Sequence, residues 1–110
     1  METVKNLISL RDLIGNSVFG LSLTDYCDAL VLVGGTAKTY QVPTKAKNVV
    51  ISCNKDFFAN FFGKTATIPT SDIIDGSASI LNPTLRDISE VSSISFISEE
   101  DAIITLEFYS

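Results

Sequence analysis

From Lys38 to Ser110 the chain runs as short stretches of alternating apolar and polar residues, each ended within a few positions by proline, glycine, asparagine or aspartate. Alternation with period two sends successive side chains to opposite faces of an extended backbone, so each stretch reads as a strand with one buried face. Strands this short are stable only when paired into sheets. A helical or α/β fold is therefore excluded for this part of the chain, and with 110 residues it has room for one domain.

Seven to nine strands fit the pattern. Ala29 to Val33 is an unbroken β-branched and aliphatic run, the mark of a fully buried strand. Gly34-Gly35 then reads as the tight turn of a hairpin, with Thr36 to Val42 returning and Pro43 ending it, because proline brings no backbone donor to a ladder. Asn48 to Cys53 places Val49, Ile51 and Cys53 on one face. Asn54-Lys55-Asp56 reads as a second hairpin turn, into Phe57 to Phe62. There Phe57, Ala59 and Phe61 share one face and Phe58, Asn60 and Phe62 the other. Two phenylalanines on the second face require a cover: a second sheet, the N-terminal segment or another subunit. Thr65 to Ile68 reads as a short strand and Thr70 to Pro83 as the one long loop. Thr84 to Ile88 and Val91 to Ser98 follow, then a turn at Glu99-Glu100-Asp101. Ala102, Ile104, Leu106 and Phe108 alternate with Ile103, Thr105, Glu107 and Tyr109 in the last strand. The expected architecture is all-β, a single antiparallel β-sandwich, jelly-roll-like or immunoglobulin-like, over residues 29–110.

Residues 1–28 read differently. Val4, Leu7, Ile8 and Ile14 recur at helical spacing, and Gly15-Asn16 would stop such a helix. An extended arm fits the same residues, so a short N-terminal helix or arm is expected, followed by an irregular strand over Ser17 to Leu23 and a turn reaching Asp28.

Charge is unevenly spread. Lys5 and Arg11 against Glu2, Asp12, Asp25 and Asp28 give −2 over residues 1–37. Five lysines (38, 45, 47, 55 and 64) against Asp56 give +4 over residues 38–64, and Arg86 against eight acids gives −7 over residues 65–110; together these make the net −5. Solvated strand edges and loops explain the split, and so does head-to-tail complementarity between identical subunits. Nucleic acid is not an expected partner, since lysines interleaved with strands in an acidic chain make a poor phosphate track. The longest apolar run, Ala29 to Val33, is far short of the ~20 residues of a membrane span. The N-terminus lacks the pattern of a secretory signal, and Cys27 and Cys53 are too few for a disulfide framework. The reading is a soluble protein made in a reducing cytoplasm, with both thiols buried as small hydrophobes.

With no histidine in the chain, Ser-His-Asp and Cys-His catalysis are excluded. Asp72 or Asp75 with Asp87 or Glu90 could form a carboxylate pair, but no spacing selects one, and loop acids that cap turns explain them better. Asp72, Asp75 and Asn82 offer oxygen ligands for Ca²⁺ without the periodicity of an EF-hand. Tyr26, Tyr40 and Tyr109 could stack on sugars, though strand tyrosines more often pack at sheet rims. The chain therefore reads as non-enzymatic, with no catalytic residue, metal or cofactor.

Two further runs carry a resemblance. Val42-Pro43-Thr44-Lys45-Ala46 leads into Asn48 to Ser52 and then Asp56-Phe57. Pro69-Thr70-Ser71-Asp72 leads into Asp75-Gly76-Ser77 and Asn82-Pro83, before the terminal strand through Thr105, Phe108 and Tyr109. Over residues 40 to 110 this resembles small structural proteins of tailed bacteriophages and prophages; residues 1–39 match nothing in that group. The resemblance implies a virion protein made in the host cytoplasm and placed on the capsid surface, decorating or cementing the head. Its implied partners are itself, as a homotrimer, and the major capsid protein. A head fibre, head-tail connector or tail component is the alternative, and a carbohydrate-binding sandwich using Tyr40, Tyr109 or the long loop is a reading of another class. The residues expected at interfaces are Phe58, Phe62, Lys45, Lys47, Glu99, Glu100 and Asp101.

Overall fold

A computed structural model describes residues 26–110; the expected N-terminal helix or arm and the strand over Ser17 to Leu23 lie outside the described residues. Eight strands follow: β1 (Cys27–Leu32), β2 (Lys38–Gln41), β3 (Asn48–Cys53), β4 (Phe58–Asn60), β5 (Ile80–Leu81), β6 (Leu85–Asp87), β7 (Ser93–Ile97) and β8 (Ala102–Tyr109). They form two four-stranded antiparallel sheets, ordered β1-β8-β3-β6 and β2-β7-β4-β5. The all-β sandwich expected from the alternation is the fold observed.

Its topology is a jelly roll. β1 pairs with β8, β2 with β7, β3 with β6 and β4 with β5, the pairing of one long hairpin folded back at its middle. That hairpin is wound up so that β3 meets β8 and β4 meets β7, which closes the two sheets. Every connection except β4 to β5 therefore passes from one sheet to the other.

This winding corrects the turns. Gly34-Gly35 does not make a hairpin, because β1 and β2 belong to different sheets. The turn is closed by Thr36 N–H donating to the Val33 carbonyl at 3.0 Å. Only Gly35 has a positive φ, 78°, as in a type II turn, whose geometry splays the flanking strands where a primed turn would keep them paired. Gly34 is needed for another reason: a Cβ there would stand 2.6 Å from the Glu99 carbonyl oxygen. The Val33–Thr36 and Ser98–Asp101 turns lie against each other, with Gly34 N–H on Asp101 Oδ1 at 2.9 Å and Gly35 N–H on the Ser98 carbonyl at 2.7 Å. Asn54 to Asp56 and Glu99 to Asp101 likewise carry the chain between sheets.

The core lies between the sheets. Ala102, Ile104, Leu106 and Phe108 of β8 face inward with Val49, Ile51 and Leu32, against Phe57, Ala59, Phe61, Ile94 and Phe96 of the opposite layer. Ile104, Leu106 and Phe108 have no exposed surface, and each such side chain contributes about 1.5–3 kcal/mol by leaving water.

Other expectations are corrected by burial. β1 begins at Cys27 and is an edge strand, not a buried one: Leu32 is 1% exposed but Val31 is 63% and Val33 61% exposed. Thr65 to Ile68 is not a strand; with residues 61–79 it belongs to a long loop. That loop, rather than a second sheet, the N-terminal segment or another subunit, lies over part of the second face of the phenylalanine strand. Ala66 N–H donates to Ser95 Oγ at 2.8 Å and Asn60 Nδ2 to the Ser77 carbonyl at 3.4 Å, leaving Asn60, Ser95 and Ala66 buried. Phe58 is half-buried beside it. Phe62 lies beyond the strand, where Asn60 Oδ1 accepts the Phe62 N–H at 2.9 Å and turns the chain away. Its ring is 64% exposed.

Candidate functional site

The residues expected at interfaces fall into two groups at opposite ends of the sandwich. Lys45 and Lys47 lie in the β2–β3 connection. Ala46 N–H bonds the Pro43 carbonyl, and the backbone of Lys47 bonds Tyr109 and Ile88. Phe62 opens at the same end, in a shallow depression shared with Glu90 and Val91. Lys45 has a φ of 74°, a left-handed conformation that costs a non-glycine residue about 1 kcal/mol.

Phe58 and Glu99, Glu100 and Asp101 lie at the other end. Phe58, Leu81, Glu99 and Glu100 line a small cleft. Glu100 forms an ion pair with Lys55 at 3.7 Å, both side chains well exposed, so its contribution to stability is no more than about 1 kcal/mol. Asp101 accepts the Gly34 N–H and is thereby committed to the corner. The sequence-level separation of lysines from acids thus becomes, in part, a separation between ends.

Of the acids considered for catalysis or Ca²⁺, Asp75 and Asp87 are engaged locally. Asp75 Oδ1 accepts from both Ser77 N–H and Ser77 Oγ, at 3.0 and 2.6 Å, and these bonds lower its pKa. Asp87 makes the same pair of contacts with Ser89. Both are turn-capping geometries. Asn82 joins two elements: its Oδ1 accepts the Phe57 N–H and its Nδ2 donates to Asp56 Oδ1, each at 3.0 Å. Among the described residues no group of three or more cysteine, aspartate or glutamate side chains is placed to hold a metal.

The tyrosines pack. Tyr40 stacks on Phe108 with ring centroids 5.8 Å apart, and Tyr26 meets Phe108 edge-on at 5.7 Å. The Tyr40 hydroxyl donates to Asp28 Oδ2 across the gap between β2 and β1. Burial and that bond push the Tyr40 pKa upward. Tyr109 is buried at 1% exposure, so its ring offers no platform to a sugar.

The two cysteines differ from expectation. Both are free, and Cys53 is half-buried at the end of β3, but Cys27 is exposed on the outer side of β1. As the first residue of an edge strand it has a neighbour on one side only. Partial burial and the nearby carboxylates of Glu107 and Asp28 raise its pKa, which holds it in the less reactive thiol form.

Sequence reasoning passed over Asn60, Ser95 and Ser98, the buried polar residues. Ser98 Oγ donates to the Asp56 carbonyl at 2.8 Å, tying the β7–β8 corner to the β3–β4 corner. The signal available, Ser93 and Ser95 alternating with Ile94 and Phe96 and Asn60 set between Ala59 and Phe61, shows which face a residue takes but not its burial.

The outer face of the β1-β8-β3-β6 sheet is the broad surface left uncovered by a described loop. In register across it lie Val31 beside Ile103, Ala29 beside Thr105 and Ser52, and Cys27 beside Glu107, Val50 and Leu85. Val31, Ile103 and Leu85 are each more than 40% exposed, with Val33 just past the strand end.

Compared with protein-family models, curated proteins and solved structures, the chain has no match in any of the three.

Proposed function

We propose that this chain is a non-enzymatic assembly protein, a virion component that decorates or cements a head by packing against copies of itself and the shell. The observation that carries the reading is the apolar side chain left in water around a core that is already filled: Val31, Val33 and Ile103 on one face and Phe62 at one end. Apolar groups gathered on one sheet face suit a contact surface better than a solvated one. A rigid jelly roll with charged corners supplies the rest of what such a protein needs. The virion setting is part of the proposal and is taken from the resemblance read in residues 40 to 110 alone. Many copies on a symmetric shell would turn modest individual contacts into firm attachment.

The test is composition of particles. Particles purified on a density gradient from induced cells of the encoding organism should contain the chain in stoichiometric, symmetry-related copy number by quantitative mass spectrometry. Its absence from the particle fraction, with the chain abundant in the lysate, overturns the reading.

A further inference from the structure

Among the described residues the four edges of the sandwich are not equally protected. β5 has two residues and β6 three, with Arg86 and Asp87 on it. β2 has four, including an exposed lysine and glutamine. Short length and charge are the usual means of keeping an edge from pairing. β1 has six residues, CDALVL, and its outward-facing side chains Cys27, Ala29 and Val31 are uncharged.

The backbone at that edge is correctly presented. Phe108 N–H bonds the Tyr26 carbonyl, and the antiparallel register makes Asp28, Leu30 and Leu32 the residues that exchange hydrogen bonds with β8. The N–H and C=O groups of Cys27, Ala29 and Val31 therefore point away from the sheet. The Val31 carbonyl confirms it, since Lys38 Nζ reaches it from outside at 3.1 Å.

Charge along this edge is polar end to end. Asp28 and Glu107 flank Cys27 at one end; Lys38 stands at Val31, at the other. An antiparallel neighbour with the same sequence would bring each cationic end against an anionic one. A parallel neighbour would set like against like.

We infer that a second copy of this chain pairs antiparallel with β1 about a two-fold axis through Ala29, joining the two β1-β8-β3-β6 sheets into one. Cys27 of each copy then faces Val31 of the other, and Lys38 of each lies beside Asp28 and Glu107 of the other. The contact covers Val31 and pairs the outward backbone groups of Cys27, Ala29 and Val31 in each chain, with Lys38 Nζ giving up the Val31 carbonyl. It rests on the reading as an assembly protein and names one of its surfaces. Being two-fold, it makes pairs where the resemblance implies trimers.

The test uses the full chain. Light scattering at rising concentration should show a dimer, twice the 11.9 kDa chain mass. Ala29→Pro removes an N–H that β8 does not use, so the fold should persist while dimer dissociation strengthens at least about tenfold. Lys38→Glu should weaken the dimer, and adding Glu107→Lys should restore it. In a Cys27→Ser background Ala29→Cys should cross-link on oxidation, because hydrogen-bonded antiparallel partners lie about 5.5 Å apart, within disulfide reach. A single-chain mass at every concentration overturns the inference, as does an oligomer that forms no cross-link at 29 and ignores both the proline and the charge reversal. Either result leaves the assembly reading standing if the chain is found in particles.

Discussion

Ser95→Ala tests whether the loop of residues 61–79 is a built part of the fold or a loose covering. Ser95 is 3% exposed and Ala66 1%, and the Ser95 hydroxyl is the acceptor for the Ala66 N–H at 2.8 Å. Alanine removes the acceptor and leaves that N–H in a site without water. Leaving a buried donor unpaired costs about 1–3 kcal/mol, more than the ~1 kcal/mol net value of an ordinary hydrogen bond. A central value of about 2 kcal/mol is a large fraction of the roughly 5–15 kcal/mol that holds such a domain together. It corresponds to a fall in Tm of about 9 °C at this chain size. Urea unfolding should show a lower midpoint at unchanged slope, and the Ala66 amide should exchange faster with solvent. Ser93→Ala, on the same sheet face but at the rim, serves as control and should move stability by less than about 0.5 kcal/mol. If Ser95→Ala behaves like the control and the Ala66 amide stays protected, the loop is held by something other than this bond and the argument fails.

Asn82 has a φ of 49° and ties Phe57 to Asp56 through its amide. Asn82→Ala should cost about 2–3 kcal/mol, from left-handed backbone strain together with the lost bonds. Asn82→Gly keeps the backbone geometry and should cost about 1 kcal/mol less; equal losses in urea titrations would mean the strain term is absent. At high pH the tyrosines decide. The hydroxyls of Tyr40 and Tyr109 ionise above the ordinary value near 10 in the folded protein. Their contribution is therefore complete below about pH 10 and is lost as pH rises beyond it, when the unfolded chain releases protons that the folded one keeps. Stability measured from pH 9 to 11 should fall, and Tyr40→Phe should fall less steeply. Identical slopes for the two proteins would refute the assignment.

Much of the strand inventory was legible because it is local. The alternation of Ala102 to Tyr109 and of Asn48 to Cys53 marks strands whose observed bounds are the same. Phe57, Ala59 and Phe61 were read onto one face and are all in the core. What failed was every inference about the neighbour across a turn. Gly34-Gly35, Asn54 to Asp56 and Glu99 to Asp101 each look like hairpin turns, since glycine, asparagine and acids reverse a chain regardless of where the next strand goes. The residues expected at interfaces were legible only as unusual residues. Phe62 proved to be exposed, whereas Phe58 is half-buried and Asp101 is held by a backbone amide.

The sequence by itself determined that this chain makes short antiparallel strands with one apolar face and no histidine chemistry. Those properties follow from period-two geometry and from residue type, each fixed within a few positions. Only the tertiary structure decided that the long hairpin winds into a jelly roll, because pairing β1 with β8 joins residues some 70–80 positions apart. It also decided burial. Val31 and Phe96 are equally suited to a core, yet one lies on an outer face and the other has no exposed surface. Asn60 and Ser95 look like surface residues but lie beneath a loop of their own chain. Alternation assigns two faces to a strand; what packs on each depends on segments far away, and that is where the contact energy is.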